Sequence, residues 1–371
     1  MAKMTSDQLI QLQSLPLDIK IRKTEQRIRE WYEHWEGNVY VSFSGGKDST
    51  VLLDIVRRLY PNVPAVFSYT ALEFPEVKEF VKTFPNVTIL HPKLSFKEIL
   101  TKYGYPVVSK EVANAVEGAR RYVYKIGNTK NKIDNELNFV TNFIKKNVVA
   151  PPHTIPLKDS SINFRIATLL GILDKDAMLN WNIPPYEHSY YNKRRHQVLL
   201  DADFKISDKC CYHMKKSPTN KYMHDTGCKP YIGTLVSESN ARRGAWMKHG
   251  CNVYNSHPSS APLSFWTEQD IFQYIIEKDL KFCKVYGDIV YDDIKKEYYC
   301  TGYSRTGCVF CAFGCHLEKR PNRFQRLKET HPKLYDYCMS GGEYNESGWW
   351  QPNKNGLGMK HVMDFMNVKV E

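Results

Sequence analysis

Residues 39–56 read Val-Tyr-Val-Ser-Phe-Ser-Gly-Gly-Lys-Asp-Ser-Thr-Val-Leu-Leu-Asp-Ile-Val, and within them SGGKDS, Ser44 to Ser49, joins a short apolar strand to a helical run. Successive glycines, Gly45 and Gly46, let the backbone turn with its N–H groups converging, and a helix starting there adds the positive end of its dipole. Such a turn suits a phosphate group. Lys47 adds a mobile cation, and Ser44 and Ser49 add hydroxyl donors. A glycine pair after a strand also serves as a plain turn, but the Lys-Asp-Ser that follows, with helical periodicity beyond it, argues for an anion site. The spacing is not the GxxxxGK[ST] of kinases and GTPases.

Working outward, residues 17–35 place Ile21, Ile28, Trp31 and Trp35 on one helical face, with Gly37 as a stop. After the loop helix come a second strand at 63–69, a helix opened by Pro75 and a third strand at 87–90. Strands alternating with helices predict parallel βαβ units in an open sheet. Ligands on such sheets bind at the carboxyl ends of the strands, where SGGKDS lies. Between 109 and 200 helical patterns dominate, at 109–126, 132–146 and 161–173. Strand patterns return at 231–236 and 252–254, followed by a helix at 267–278 with Thr267 and Asp270 spaced as a capping pair. A hairpin is expected at 289–299, then a cysteine-rich knuckle, one helix at 321–339 and an irregular tail.

The expected fold is therefore α/β: an open, mostly parallel twisted sheet with helices on both faces, a helical insertion and a C-terminal cysteine-rich region. Its expected divisions are an N-terminal helix, 1–36; a nucleotide-binding α/β domain, 37–108 and 201–282; a mostly helical insertion, 109–200; and a hairpin, cysteine knuckle and basic helix, 283–371.

The chain has 371 residues, 42% of them apolar, enough for a large core in one or two domains. No apolar run approaches the roughly 20 residues that span a bilayer, and the N-terminus, with Lys3 and Asp7, does not read as a signal peptide. A cytoplasmic location without a membrane partner is expected. Ten cysteines in such a chain argue for metal, cluster or redox chemistry rather than a disulfide framework. A net charge of +12 with 24 tyrosines and 7 tryptophans fits a partner that carries phosphates, either a nucleotide or a nucleic acid.

A second constellation joins distant segments. Cys210 and Cys211 are adjacent, and Cys308 and Cys311 form a C-x-x-C turn ninety-six residues later, after 212 to 307. Together they supply four thiolates, which suit either a 4Fe–4S cluster or Zn²⁺, and donor type and spacing do not separate the two. Buried cysteines also serve as small apolar residues. Glu238 and Arg242, four apart, share a helical face, so Arg242 pairs with Glu238 or with a phosphate. Asp48 either holds Mg²⁺ beside substrate phosphates or caps the helix. The basic stretch Lys319, Arg320, Arg323, Arg326 and Lys328, with Phe324 among them, either lines a channel for a polyanion or faces solvent.

The SGGKDS loop resembles the pyrophosphate loop of the N-type ATP pyrophosphatases, the adenine nucleotide alpha hydrolase-like superfamily, which cleave ATP between the α- and β-phosphates. The CC and CxxC pair resembles the iron–sulfur signature within its phosphoadenosine phosphosulfate (PAPS) reductase-like family. So do Phe204 to Cys211 followed by Lys215, Lys216 and Pro218, the segment Gly233 to Arg242, and Pro262 to Phe272 with its Trp-Thr before a helix. The resemblance runs in order from about Val39 to Cys315. It implies an adenine nucleotide, with Mg²⁺, held by Ser42, Ser44, Gly45, Gly46, Lys47, Asp48, Ser49, Tyr69, Lys110, Gly233, Glu238, Ser239 and Arg242. Among these it gives Lys47, Asp48 and Arg242 catalytic roles. It further implies a 4Fe–4S cluster, or Zn²⁺ in the alternative, on Cys210, Cys211, Cys308 and Cys311. Many relatives carry an acidic residue where Tyr69 stands here.

Reductases of this family attack sulfate with a cysteine in a motif like Glu-Cys-Gly followed by a His. No cysteine follows Cys338, and Cys338 has neither neighbour. The pattern is then closest to cluster-containing members related to DNA phosphorothioation enzymes and to cluster-dependent tRNA thiolases. That likeness implies an ATP-dependent adenylating enzyme for sulfur transfer, with DNA or RNA as acceptor and a sulfur-donor protein such as a cysteine desulfurase as partner. Delivery of sulfur near the cluster or at Cys315 belongs to the same expectation. Sulfonucleotide reduction is the first alternative. A non-catalytic nucleotide or nucleic-acid-binding module with structural zinc is the second.

Overall fold

A computed structural model of the chain describes residues 5–126, residue 169 and residues 193–371. The helices expected at 132–146 and 161–173 lie outside the described residues, Leu169 excepted. The chain divides into two compact units, Met1–Ser95 with His213–Val309, and Phe96–Tyr212 with Phe310–Glu371. No described helix is long and apolar enough to cross a membrane.

The first unit opens with α1 (Ser6–Gln13), started by a Thr5/Gln8 capping box, and α2 (Leu17–His34), which buries Leu17, Ile28 and Trp31. Then come β1 (Val39–Ser42), α3 (Lys47–Leu59), β2 (Ala65–Ser68), α4 (Pro75–Lys82) and β3 (Val87–Leu90). The six-stranded sheet runs in the order β3, β2, β1, Lys229–Ile232, Ser259–Ser260, Asn252–Val253. All of its pairings are parallel except the last. This is the open, mostly parallel α/β sheet that the alternating pattern predicts. β1 is flanked by β2, with Ser42 opposite Val66, and by 229–232, with Ser42 opposite Ile232. The chain order reverses there, so the loop after β1 stands at the switch point where such sheets receive ligands.

Helix α3 buries Val51, Leu52, Leu53, Ile55 and Val56. At about 1.5–3 kcal/mol for each fully buried aliphatic side chain, this face fixes the helix to the sheet far more firmly than propensity does. The helix Glu268–Glu277 packs against α3. It begins at the capping box read from the sequence, with Thr267 accepting from the Asp270 amide and Asp270 accepting from the Thr267 amide. It is tied to α2 by a buried ion pair, Lys20 Nζ lying 2.7 Å from both Asp270 carboxylate oxygens.

In the second unit the strand Val107–Val108 pairs in parallel with Ala312–Phe313. Arg120, from the helix Lys110–Ile126, donates to the carbonyls of Leu199, Ala202 and Phe204, all at 2.7 Å. Two expectations fail here. The single helix at 321–339 is two, Arg323–Thr330 and Pro332–Met339. Proline has no N–H to continue the first helix and drives its predecessor out of the helical region, and His331 stands at φ −138°, ψ 63°. The tail expected to be irregular holds a short hairpin, Glu343–Tyr344 with Trp350–Gln351, and a helix, Met359–Phe365, that buries Met359, Val362 and Met363. Elements this short carry too few turns for periodicity to show.

Candidate functional site

Strand β1 ends at Ser42, and α3 begins at Lys47 with Gly46 as its N-cap, at φ −79° and ψ 157°. Between them Gly45 takes φ +70°, and a Cβ on it would stand 2.8 Å from Val77 Cγ1 and 2.9 Å from Val81 Cγ2. Glycine is required there twice, for the left-handed conformation and for the close approach of α4. Hydroxyls brace the turn. Ser44 Oγ and Ser49 Oγ are 3.0 Å apart, the Gly46 amide donates to Ser44 Oγ, and the Ser49 and Thr50 hydroxyls both donate to the Gly46 carbonyl at 2.9 Å.

Lys47 is buried, 4% exposed, although it is a lysine in the first turn of a helix. Its ammonium lies 3.0 Å from Glu268 Oε1 and 3.6 Å from Asp48 Oδ1, between the rings of Phe272 and Tyr286. Burial by itself lowers the lysine pKa, but the Asp48 and Glu268 carboxylates outweigh it and the group is held above its usual value. Burial pushes the Asp48 carboxyl up, Lys47 pulls it down, and Glu268 adds to the rise, leaving it above the usual carboxylate value. Asp48 Oδ1 is buried and makes no hydrogen bond. A buried carboxylate oxygen beside a phosphate-type loop fits a Mg²⁺ that takes its other ligands from substrate phosphates and water.

Beside the loop is a cavity of about 210 Å³ lined by Ser42, Ser44, Ser68, Glu73, Lys215, Lys216, Thr219 and Thr306 among others. Two of the expected residues, Ser42 and Ser44, face it. Tyr69 does not line it; its amide extends the sheet to the Leu90 carbonyl, and Lys78 Nζ stands 4.8 Å over its ring. The acidic group at this end of β2 is Glu73, whose carboxylate accepts from the Thr70 amide at 3.0 Å and hydroxyl at 2.6 Å.

Gly233 packs on the loop helix, since a Cβ there would meet Ser49 Cα at 3.0 Å and the Asp48 carbonyl oxygen at 3.1 Å. Glu238 and Arg242 form the ion pair that their spacing predicts, and Ser239 caps the helix Asn240–His249 by accepting from the Arg242 amide at 3.2 Å. Burial and neighbouring Arg305 lower the Arg242 pKa while Asp48 acts against them, so Arg242 lies within electrostatic reach of the loop. Lys110 is exposed at the first turn of its helix, in the second unit.

Sequence reasoning missed Glu268, Tyr286, Thr306 and Glu73. Tyr286 accepts from the Lys47 amide at 3.2 Å and is 2.8 Å from the Thr306 hydroxyl. Only Glu73 had a local signal, its place after the strand on the ligand side of the sheet.

None of the ten cysteines forms a disulfide. Cys210, Cys211 and Cys311 belong to the second unit and Cys308 to the first. The donor set has the chemistry of a cluster or zinc site, but among the described residues no three Cys, His, Asp or Glu side chains gather into a metal-holding group. The four cysteines therefore stand for the expected cofactor by donor chemistry alone, and no chemistry is derived through it. Cys315 is buried, and burial first, Glu318 next, push its thiol up to about 12. Cys338 is fully buried and burial pushes it well above the usual thiol value. In the basic stretch Phe324 is a core residue and Arg323 is paired with Glu318, so neither lines a channel.

Comparison with known proteins adds the following. Residues 38–143 and 168–313 match the model of the phosphoadenosine phosphosulfate reductase domain. An uncharacterized protein of Methanocaldococcus jannaschii is 32% identical over 121 residues, 29% of each chain. The phosphoadenosine 5'-phosphosulfate reductase of Proteus mirabilis is 28% identical over 131 residues, 33% of this chain and 54% of that one. That of Serratia proteamaculans is 26% identical over 117 residues, 32% of this chain and 48% of that one. These matches span about half or less of the relatives' own length. The crystal structure of phosphoadenylyl-sulfate reductase from Candida auris, a phosphate complex, aligns over 76% of this chain and 91% of that one, with a TM-score of 0.33 and 14% identity.

Proposed function

The chain belongs to the phosphoadenosine phosphosulfate reductase domain family, and on that premise we propose that it binds ATP at the Ser44–Ser49 loop and adenylates an acceptor for sulfur transfer onto nucleic acid. The observation that carries this reading is the loop itself. A glycine turn into the N-terminus of α3, a buried ammonium in its first turn and a cavity with two further lysines, Lys215 and Lys216, stand together at the switch point of the sheet.

The chemistry asked of these residues is positioning and charge stabilisation. An acceptor oxygen attacks the α-phosphorus, the new O–P bond forms as the bond to the bridging oxygen breaks, and the electron pair leaves with pyrophosphate. Lys47 and the loop amides hold the β- and γ-phosphates and take up the charge that builds on the leaving group. Arg242 lies near enough to Asp48 to act on the same charge. Asp48 would hold Mg²⁺, which offsets phosphate charge when bound. Sulfur would then come from a donor protein such as a cysteine desulfurase. Cys210, Cys211, Cys308 and Cys311 remain the candidate cluster ligands by donor chemistry alone.

Sulfonucleotide reduction is the second reading, favoured by the names of the matched relatives. Against it, Cys338 offers no accessible thiolate. The test compares two assays on the purified chain. Pyrophosphate release from ATP that rises with added DNA or RNA, without sulfite from adenylylsulfate or PAPS and a thiol reductant, is the expected result. Sulfite formation, or pyrophosphate release indifferent to both nucleic acids, overturns the proposal.

A further inference from the structure

Lys47 carries two donors that a phosphate at this loop would use, the amide at the first position of α3 and the side-chain ammonium, and protein groups hold both. The amide donates to the Tyr286 hydroxyl at 3.2 Å. The ammonium has Glu268 Oε1 at 3.0 Å, Asp48 Oδ1 at 3.6 Å and the Ser304 carbonyl at 3.5 Å. A buried ammonium cannot stand without an anion, because the desolvation cost is several kcal/mol in order of magnitude. Asp48 is fixed beside it by chain adjacency. Glu268 is different: it opens a separate helix, and its side chain is 51% exposed, so it can turn into water at little cost.

Resting on the nucleotide reading above, we propose that Glu268 and the Tyr286 hydroxyl are stand-ins for a polyphosphate. They satisfy the Lys47 donors and give them up when the phosphates arrive. Glu268 is then a positioning residue that sets the affinity of the loop and its preference among anions. A singly charged anion at Lys47 only exchanges with a carboxylate of equal charge. The pyrophosphate part of ATP brings more charge to the same place and displaces it. The Tyr286 hydroxyl, released from the amide, keeps its partner in Thr306, 2.8 Å away, so its withdrawal leaves no polar group unsatisfied.

The experiment is calorimetric titration of the full chain with ATP and with inorganic pyrophosphate, in EDTA so that no divalent cation contributes. Glu268→Gln should lower the dissociation constant of both ligands by roughly threefold to tenfold, the change expected from removing one partly exposed competing charge. Adding salt should shrink the gain. Glu268→Ala should change affinity in the same direction, and a melting curve without ligand shows that each variant is folded. Lys47→Met/Glu268→Gln should bind no better than Lys47→Met, because the gain runs through the ammonium. Unchanged or weaker binding by folded Glu268→Gln, or an equal gain without Lys47, overturns the inference while leaving the nucleotide site standing. A wild-type chain that binds neither ligand overturns both.

Discussion

Replacing Lys20 by Met tests whether the helix beside the loop is held by a buried charge pair. Lys20 is 2% exposed, and its ammonium donates at 2.7 Å to both Asp270 carboxylate oxygens and to the Gln13 carbonyl. Asp270 Oδ2 also accepts from the Thr267 amide at 2.6 Å and hydroxyl at 2.8 Å. Methionine keeps much of the stem's volume and removes the charge. The carboxylate stays buried with its cap donors but without a cation, which costs about 3–5 kcal/mol when one partner of a buried pair is lost. The Gln13 carbonyl loses a donor as well, worth about 1 kcal/mol. In a unit of this size that is a fall in Tm on the order of 10 °C. Urea unfolding followed by circular dichroism reads it directly. Lys20→Met/Asp270→Asn, neutral on both sides and still offering an oxygen to the Thr267 amide, should regain most of the loss. A Lys20→Met chain within about 1 kcal/mol of wild type would refute the reasoning, because the pair would then be solvated rather than buried.

Three further outcomes follow from the same geometry. Lys47→Met should cut pyrophosphate release by about 10²–10³-fold, the usual loss for one preorganised donor to a developing charge, and turnover within threefold of wild type would remove Lys47 from the site. Gly45→Ala forces a side chain into φ +70° and a Cβ to within 3 Å of Val77 and Val81. Left-handed strain of about 1–2 kcal/mol and overpacking of about 1–3 kcal/mol should both appear in urea unfolding, and a change below about 0.5 kcal/mol contradicts the turn described. Cys338→Ala should lower stability by about 1 kcal/mol through a small cavity and leave pyrophosphate release unchanged; sulfite formation that disappears in a folded Cys338→Ala chain would instead make this thiol a nucleophile.

What could be read in advance was local. SGGKDS, the Thr267/Asp270 cap, the Glu238/Arg242 pair and the alternation of strand and helix through residue 90 each declare themselves within a few residues, and the structure shows all of them. Pro332 is equally local, and it divides into two the stretch that periodicity alone reads as one helix. The partners of Lys47 were of another kind. Glu268 and Tyr286 reach it only after the sheet has brought the segment after 260 back against α3, and neither residue is unusual for its own element. A counter-ion more than two hundred positions away is a product of topology, which no local spacing encodes. Phe324 shows the converse error. It stands among basic residues in the sequence, yet its helix turns it into the core.

Burial sorts some of the thiols that spacing leaves open. Ten cysteines were candidates for metal, cluster or sulfur chemistry, and all such chemistry needs a thiolate. Burial raises the pKa of Cys251, Cys283, Cys300, Cys315 and Cys338, with Cys300 pushed up to about 11 and Cys315 to about 12. Of these, Cys283, Cys315 and Cys338 are buried and serve as small apolar residues, as buried cysteines commonly do. The CC and CxxC, Cys210, Cys211, Cys308 and Cys311, are the set that spacing brings forward. The chemistry of that set is tested by metal analysis of protein purified without oxygen. Iron with labile sulfide places a cluster on it, zinc gives it a structural role, and the absence of both leaves the loop as the whole of the site.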